Sequence, residues 1–145
     1  MKRRDFMRLG LAGAGLSALS AMPQIATAQS SSAQLLGAGG LFYTQENAGR
    51  WSGKVATHLP SAQIEKSANG TIVNVITAHE MNGFEHYIVK HTLLDHNYQF
   101  LDEHFFNPTT DKTASSSFNI KNYAGILHVV SMCNKHDLWL ATVEV

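Results

Sequence analysis

The chain has 145 residues, the length of one domain, and its 44% hydrophobic and 15% charged residues are typical of a globular protein. The formal net charge is zero. However, four basic residues and one acidic residue fall within the first eight positions, leaving 7 basic and 10 acidic residues in the rest. A mildly acidic body argues against nucleic acid as a partner. The single cysteine, Cys133, excludes an internal disulfide framework and a four-cysteine metal site.

Residues 1–28 have the pattern of a twin-arginine signal peptide. Arg3-Arg4 precedes a weakly apolar stretch, residues 9–21, that is too short to be a permanent membrane span, and Ala26-Thr27-Ala28 offers a cleavage site. We therefore expect export to the periplasm with no stable membrane anchor. The twin-arginine route is often used for proteins that fold around a metal before export. The alternative is an ordinary secretory signal or a retained anchor. Residues 29–50, rich in Ser and Gly, are predicted to form a flexible lead-in with a short ordered piece around residues 41–43.

Residues 51–145 are predicted to form one β domain. β-branched runs and alternating apolar residues indicate strands at 71–78, 84–94, 98–106, 115–120, 125–133 and 138–145. Residues 115–120 are expected to lie at a sheet edge, and no segment keeps helical periodicity over three turns. Six or seven short strands with turn signals between them predict an all-β antiparallel sandwich.

Histidines gather at the predicted strand ends. All eight histidines follow residue 57, and four of them, His58, His79, His86 and His136, lie at or near strand termini, as does Cys133. A lone cysteine is more often a small buried hydrophobe. A thiolate with several imidazoles nevertheless suits a transition metal. We therefore predict a metal site at one end of the sandwich. The other histidines are assigned to the core or the surface: His91, His96, His104 and His128.

Three segments resemble the superoxide reductases, the neelaredoxin and desulfoferrodoxin iron-centre family. The matching segments are His58-Leu59-Pro60, His79-Glu80-Met81 with Phe84-Glu85-His86-Tyr87-Ile88, and Cys133-Asn134-Lys135-His136-Asp137-Leu138-Trp139. The resemblance runs from about Trp51 to the C-terminus. It implies an immunoglobulin-like β-sandwich, in agreement with the strand pattern.

The resemblance also implies a function and a ligand set. One mononuclear non-haem iron, cycling between Fe²⁺ and Fe³⁺, would have an axial thiolate and four equatorial imidazoles. The implied ligands are Cys133, His58, His79, His86 and His136. Superoxide would be reduced to hydrogen peroxide, and an external donor protein would return the electron. The single cysteine excludes the second, rubredoxin-like iron centre of two-iron members. The family commonly forms homo-oligomers.

The chain departs from the family pattern at three places. Ala56-Thr57 stands where a Glu-Lys pair is usual, and the missing lysine removes local attraction for an anion. Lys54 and Lys135 are candidates to replace it. Asp137 stands where glycine is usual, and its carboxylate is expected to disfavour superoxide near the iron. The spacing from His79 to His86 is one residue longer than usual.

Two other interpretations stay open. Cys133-x-x-His136 late in a β-sandwich, with an upstream histidine, also fits a blue-copper electron-transfer protein, although no methionine follows Met132 to serve as its axial ligand. The second alternative is an inactive, metal-binding member of the same family, because Ala56-Thr57 lacks the usual charged pair.

Overall fold

The computed structural model describes residues 35–145, so the predicted signal peptide and the start of the lead-in lie outside the described residues. Two short helices precede seven strands in this part of the chain. The helices are a 3₁₀ helix (Gly49–Lys54) and α1 (Val55–His58). The strands are β1 (Ser61–Ser67), β2 (Gly70–Thr77), β3 (Ile88–Leu94), β4 (Phe100–Phe105), β5 (Ala114–Ile120), β6 (Ile126–Cys133) and β7 (Asp137–Glu144).

The strands form two sheets in which every neighbouring pair is antiparallel. One sheet has the order β1-β2-β5 and the other has the order β4-β3-β6-β7. The predicted immunoglobulin-like antiparallel sandwich is therefore confirmed. The edge position predicted for residues 115–120 is also confirmed, since β5 pairs with β2 alone.

The apolar core lies between the sheets because alternate side chains of each strand point inward. Its buried residues come from both sheets: Val73, Val75, Leu93, Phe118, Ile120, Leu127, Val129 and Val145. A smaller cluster, Ile88, Phe106, Ala114 and Cys133, lies apart from it. Cys133 is thus held at the end of β6 in apolar surroundings.

The first part of the predicted β domain is helical, which corrects the prediction that residues 51–145 are β throughout. His58 ends the one-turn helix α1, and Leu59 is already extended, as the residue before Pro60 must be. β1 was not predicted. Its side chains are mostly exposed, so it lacks the apolar alternation that marks a half-buried strand.

The third strand also begins later than predicted. The ladder between β3 and β6 starts at the pair Ile88–Cys133, so residues 84–87 belong to the preceding turn. His86 therefore precedes the strand by two residues instead of opening it. Its backbone carbonyl accepts a hydrogen bond from the Asn82 N–H at 2.8 Å.

The segment before residue 50 packs on the sandwich at Tyr43. This side chain is 1% exposed, and its ring lies 5.6 Å from that of Trp139. The Tyr43 N–H donates to the Leu138 carbonyl, and the Leu140 N–H donates to the Tyr43 carbonyl, both at 2.8 Å. These bonds attach residues around Tyr43 to β7. In residues 35–145, no helix has the length and apolar character needed to cross a membrane.

Candidate metal centre

Five side chains converge at one end of the sandwich, and they are the five predicted from the sequence. His58 comes from the end of α1, while His79 and His86 come from the β2–β3 connection. Cys133 ends β6, and His136 lies in the turn before β7. One ligand atom from each residue lies within 4.8 Å of every other. This cluster can hold a metal ion.

The spacing of the imidazole nitrogens fits a shared metal ion. His136 Nδ1 lies 2.9 Å from His58 Nε2 and 3.0 Å from His86 Nε2, and His86 Nε2 lies 3.0 Å from His79 Nε2. Two nitrogens bonded at right angles to one ion, each at about 2.1 Å, are about 3.0 Å apart. The nitrogens are therefore placed as neighbouring ligands of one ion would be.

The Cys133 sulfur is the fifth donor. Its Sγ lies 3.6 Å from His136 Nδ1 and 3.8 Å from His79 Nε2, farther than the nitrogens lie from one another. The Lys135 N–H donates to Sγ at 3.5 Å. A buried thiol with a backbone N–H aimed at it is suited to carry the negative charge of a metal-bound thiolate.

Burial keeps the imidazoles neutral. It lowers the pKa of His58 to about 4, and the neighbouring His79 and His136 act in the same direction. Burial is also the main cause of the lowered pKa values of His79, His86 and His136. Neutral imidazoles have a free lone pair for a metal. Burial raises the pKa of the Cys133 thiol, so a bound metal must displace its proton at neutral pH.

Two of the imidazoles differ in the hydrogen-bond partners of Nδ1, the ring nitrogen that faces away from the cluster. His58 Nδ1 is 3.1 Å from the Lys54 carbonyl, to which its N–H donates, so Nε2 keeps its lone pair for the site. The Thr57 hydroxyl lies 2.8 Å from the same Nδ1. His79 Nδ1 is buried and has no hydrogen-bond partner among the described residues. Burial lowers the His79 pKa, and the nearby Glu80 backbone opposes part of that shift. His58 is thus oriented by hydrogen bonds.

Asn134 joins the two turns that carry the ligands. Its side-chain carbonyl accepts from the Tyr87 N–H at 3.0 Å, and its Nδ2 donates to the carbonyls of Phe84 and Glu85 at 3.2 and 3.1 Å. Residues 84–87 carry His86, while Asn134 stands beside Cys133. One side chain therefore fixes the distance between the two turns.

The Asp137 carboxylate has a positively charged partner, Arg50, while the expectation that Asp137 disfavours an anion near the site stays a prediction. Asp137 Oδ2 lies 2.5 Å from an Arg50 guanidinium nitrogen and accepts from Trp51 Nε1–H at 2.9 Å. The Trp51 hydrogen bond and the Arg50 hydrogen bond hold the Asp137 pKa below its usual range. Sequence reasoning missed Arg50 and Trp51, because 86 residues separate Trp51 from its partner.

The remaining histidines lie outside the cluster, as predicted. His91 is fully buried in β3, between hydroxyl groups of other strands. His128 stacks on Tyr98 at 4.2 Å, and His96 is exposed. His104 contacts Phe106.

Comparisons with known proteins agree with this geometry. The sequence model of the Desulfoferrodoxin family matches residues 50–142. The structure is similar to superoxide reductase (neelaredoxin) from Ignicoccus hospitalis, with 25% identity, TM-score 0.56, and coverage of 72% of this chain and 94% of that one. A variant of the same protein is 26% identical, with TM-score 0.59 and coverage of 72% of this chain and 93% of that one.

A third structure supports the fold alone. Superoxide reductase from Nanoarchaeum equitans is 20% identical, with TM-score 0.50 and coverage of 62% of this chain and 94% of that one. No curated protein sequence gives a significant match. The family match nevertheless spans the helix, the connection and the turn that supply all five candidate ligands. The chain belongs to the Desulfoferrodoxin family.

Proposed function

We propose that the protein is a superoxide reductase with one mononuclear iron held by Cys133, His58, His79, His86 and His136. The observation that carries the proposal is the convergence of these five ligand atoms within 4.8 Å. Family membership and the likeness to the superoxide reductase of Ignicoccus hospitalis support it. A blue-copper site uses two imidazoles and one thiolate, so it would leave two of these four imidazoles unexplained.

The proposed reaction consumes superoxide, one electron and two protons, and it yields hydrogen peroxide. Iron held by these five residues would supply the electron for the substrate. The neutral imidazoles give their lone pairs, and the Cys133 thiolate adds a soft, electron-rich donor. An external donor protein would then return one electron. Superoxide is an anion, so positive charge near the site favours its approach.

Lys54 is the side chain that we assign to attract the anion. Both Lys54 and Lys135 lower the pKa values of His86 and His136 through their positive charge, so both lie close to the site. Lys135 is 3.8 Å from the Glu85 carboxylate. Within residues 35–145, Lys54 has no ion-pair partner. Lys54 thus offers the uncompensated charge that Thr57, at the usual lysine position, does not.

We further propose that the protein works in the periplasm after cleavage following Ala28 has removed the signal peptide, residues 1–28. The twin-arginine pattern supports this proposal, because that route carries folded proteins. Fractionation of cells expressing the full chain, with sequencing of the mature N-terminus, tests it. A cytoplasmic protein that keeps residues 1–28 would contradict it. We also propose that an external protein donates the electron and that the protein forms a homo-oligomer.

Superoxide decay tests the reaction. Superoxide is generated by a radiation pulse in the presence of the iron-loaded, reduced protein, and its disappearance is followed by absorption. We expect decay faster than in buffer, with one hydrogen peroxide formed and one iron oxidised per superoxide. Iron binding without acceleration would identify an inactive metal-binding member. Copper in the isolated protein, with no iron, would favour the blue-copper alternative.

A further inference from the structure

Arg50, Trp51 and Asp137 form a contact network beside the candidate metal centre, and we call these three residues the clasp. The Asp137 carboxylate binds the Arg50 guanidinium at 2.5 Å and the Trp51 indole N–H at 2.9 Å. Arg50 Nε also donates to the Tyr43 hydroxyl at 3.1 Å. The clasp therefore joins the 3₁₀ helix at the start of the domain to the turn at the start of β7.

The clasp contacts the candidate ligand His136 through the Trp51 indole ring. The rings of Trp51 and His136 lie 4.6 Å apart and are nearly perpendicular, at 88°. Asp137 directly follows His136 and holds the indole N–H, so the indole is fixed against the imidazole. The His136 carbonyl is itself held by the Trp139 indole N–H at 2.9 Å. Backbone and ring of His136 are thus restrained from two sides.

Local backbone geometry explains why the turn needs such restraint. Asp137 has φ +63°, a left-handed conformation that costs little for glycine and more for other residues. Gly49, which precedes Arg50, has φ +48°, and a Cβ there would lie 2.5 Å from the Gly39 carbonyl oxygen. The backbone next to Arg50 is therefore packed directly against the segment that holds Tyr43.

We propose that the clasp is a positioning device that sets the orientation of the His136 imidazole for metal binding. This inference rests on the proposed function, because it assumes that His136 is a ligand. The ion pair is exposed, with 65% of the Arg50 side chain and 38% of the Asp137 side chain accessible, and exposed pairs stabilise folds weakly. Its loss should therefore change metal binding more than it changes the stability of the metal-free fold.

The test compares four variants with the wild type in Co²⁺ binding. Arg50→Gln removes the ion pair, and Trp51→Phe removes the indole N–H. Asp137→Asn keeps an acceptor for Trp51 and a residue that tolerates φ +63°, while it removes the charge. The matched control is Lys90→Gln, which breaks the 2.8 Å ion pair with Glu103 in the β3–β4 pairing. Affinity is measured by chelator competition, ligand geometry by the visible Co²⁺ spectrum, and stability by thermal unfolding of metal-free protein.

We expect Arg50→Gln and Trp51→Phe to weaken Co²⁺ binding by about tenfold and to alter the Co²⁺ bands, while Lys90→Gln leaves both unchanged. Asp137→Asn should weaken Co²⁺ binding less than Arg50→Gln and Trp51→Phe do, but more than Lys90→Gln does. Melting temperatures of the metal-free variants should fall by about 3 °C or less. Wild-type affinity and spectrum in Arg50→Gln and Trp51→Phe would overturn the inference. The inference would also be overturned if Co²⁺ binding weakened only in variants whose metal-free protein lost stability to a matching extent. A wild-type protein that binds no Co²⁺ would instead refute the proposed metal site.

Discussion

The buried histidine of β3 makes the stability of the fold depend on pH. His91 Nε2 lies 2.9 Å from the Thr77 hydroxyl, and Nδ1 lies 2.7 Å from the Ser116 hydroxyl. The Thr77 hydroxyl donates to Ser131 at 3.0 Å, so His91 Nε2–H donates to Thr77, and Nδ1 accepts from Ser116. This network joins β2, β3, β5 and β6 across both sheets, and it uses the neutral imidazole.

Burial, followed by the charge of His104, lowers the pKa of His91 to about 4 in the folded protein. In the unfolded chain the pKa is about 6.5. The unfolded state therefore binds a proton more readily, and stability falls as the pH drops from about 6.5 towards 4. At pH 5 the loss relative to pH 7 is about 2 kcal/mol from His91 alone.

The variant His91→Gln tests this pH dependence by urea unfolding of metal-free protein at pH 7 and pH 5. The variant should be less stable than the wild type at pH 7 by about 1–3 kcal/mol, because buried hydroxyls lose a partner. Its further loss between pH 7 and pH 5 should be smaller than that of the wild type by about 2 kcal/mol. The other histidines are present in both proteins, so the double difference isolates His91. The exposed His96→Gln is the control.

Equal losses of unfolding free energy between pH 7 and pH 5 in the wild type and in His91→Gln would show that His91 does not set the pH dependence. The same conclusion would follow if His96→Gln removed as much of the pH dependence as His91→Gln does. Either result would mean that the buried network does not control the response to acid.

Three further predictions concern the metal centre. Asn134→Ala should weaken metal binding by about tenfold, since the turn of His86 loses its tie, whereas Asn119→Ala on β5 should not. Metal affinity should rise about tenfold per pH unit from pH 6 to pH 8, because the Cys133 pKa is raised and one thiol proton is released; a flat pH profile would contradict this. Lys54→Gln should slow superoxide decay about threefold at low salt and less at high salt, unlike Lys66→Gln.

Most of the candidate ligands could be predicted to converge because their signals are local in the sequence. His79, His86, Cys133 and His136 each lie within a few residues of a strand end, and the strands themselves show β-branched runs or alternation. Once two sheets form, strand ends meet at the edges of the sandwich. The sequence therefore sufficed for the fold class and for the convergence of these four side chains, whereas His58 ends a helix where a strand was expected.

The environment of the site could not be predicted, because its contacts join distant parts of the chain. Arg50 and Asp137 are 87 residues apart, and nothing in either local sequence indicates the other. The helix that ends at His58 has four residues, too few for a periodic signal. β1 was missed for a related reason, since its backbone pairing with β2 leaves most of its side chains exposed.

We propose that Cys133 and four histidines bind one iron. The most direct measurement is the iron content of the protein together with its visible spectrum before and after oxidation, for the wild type and Cys133→Ser. We expect one iron per chain and a thiolate-to-iron charge-transfer band that appears on oxidation and is absent in Cys133→Ser. An oxidised iron protein whose spectrum is the same in Cys133→Ser, or a site that takes up no iron, would contradict this proposal.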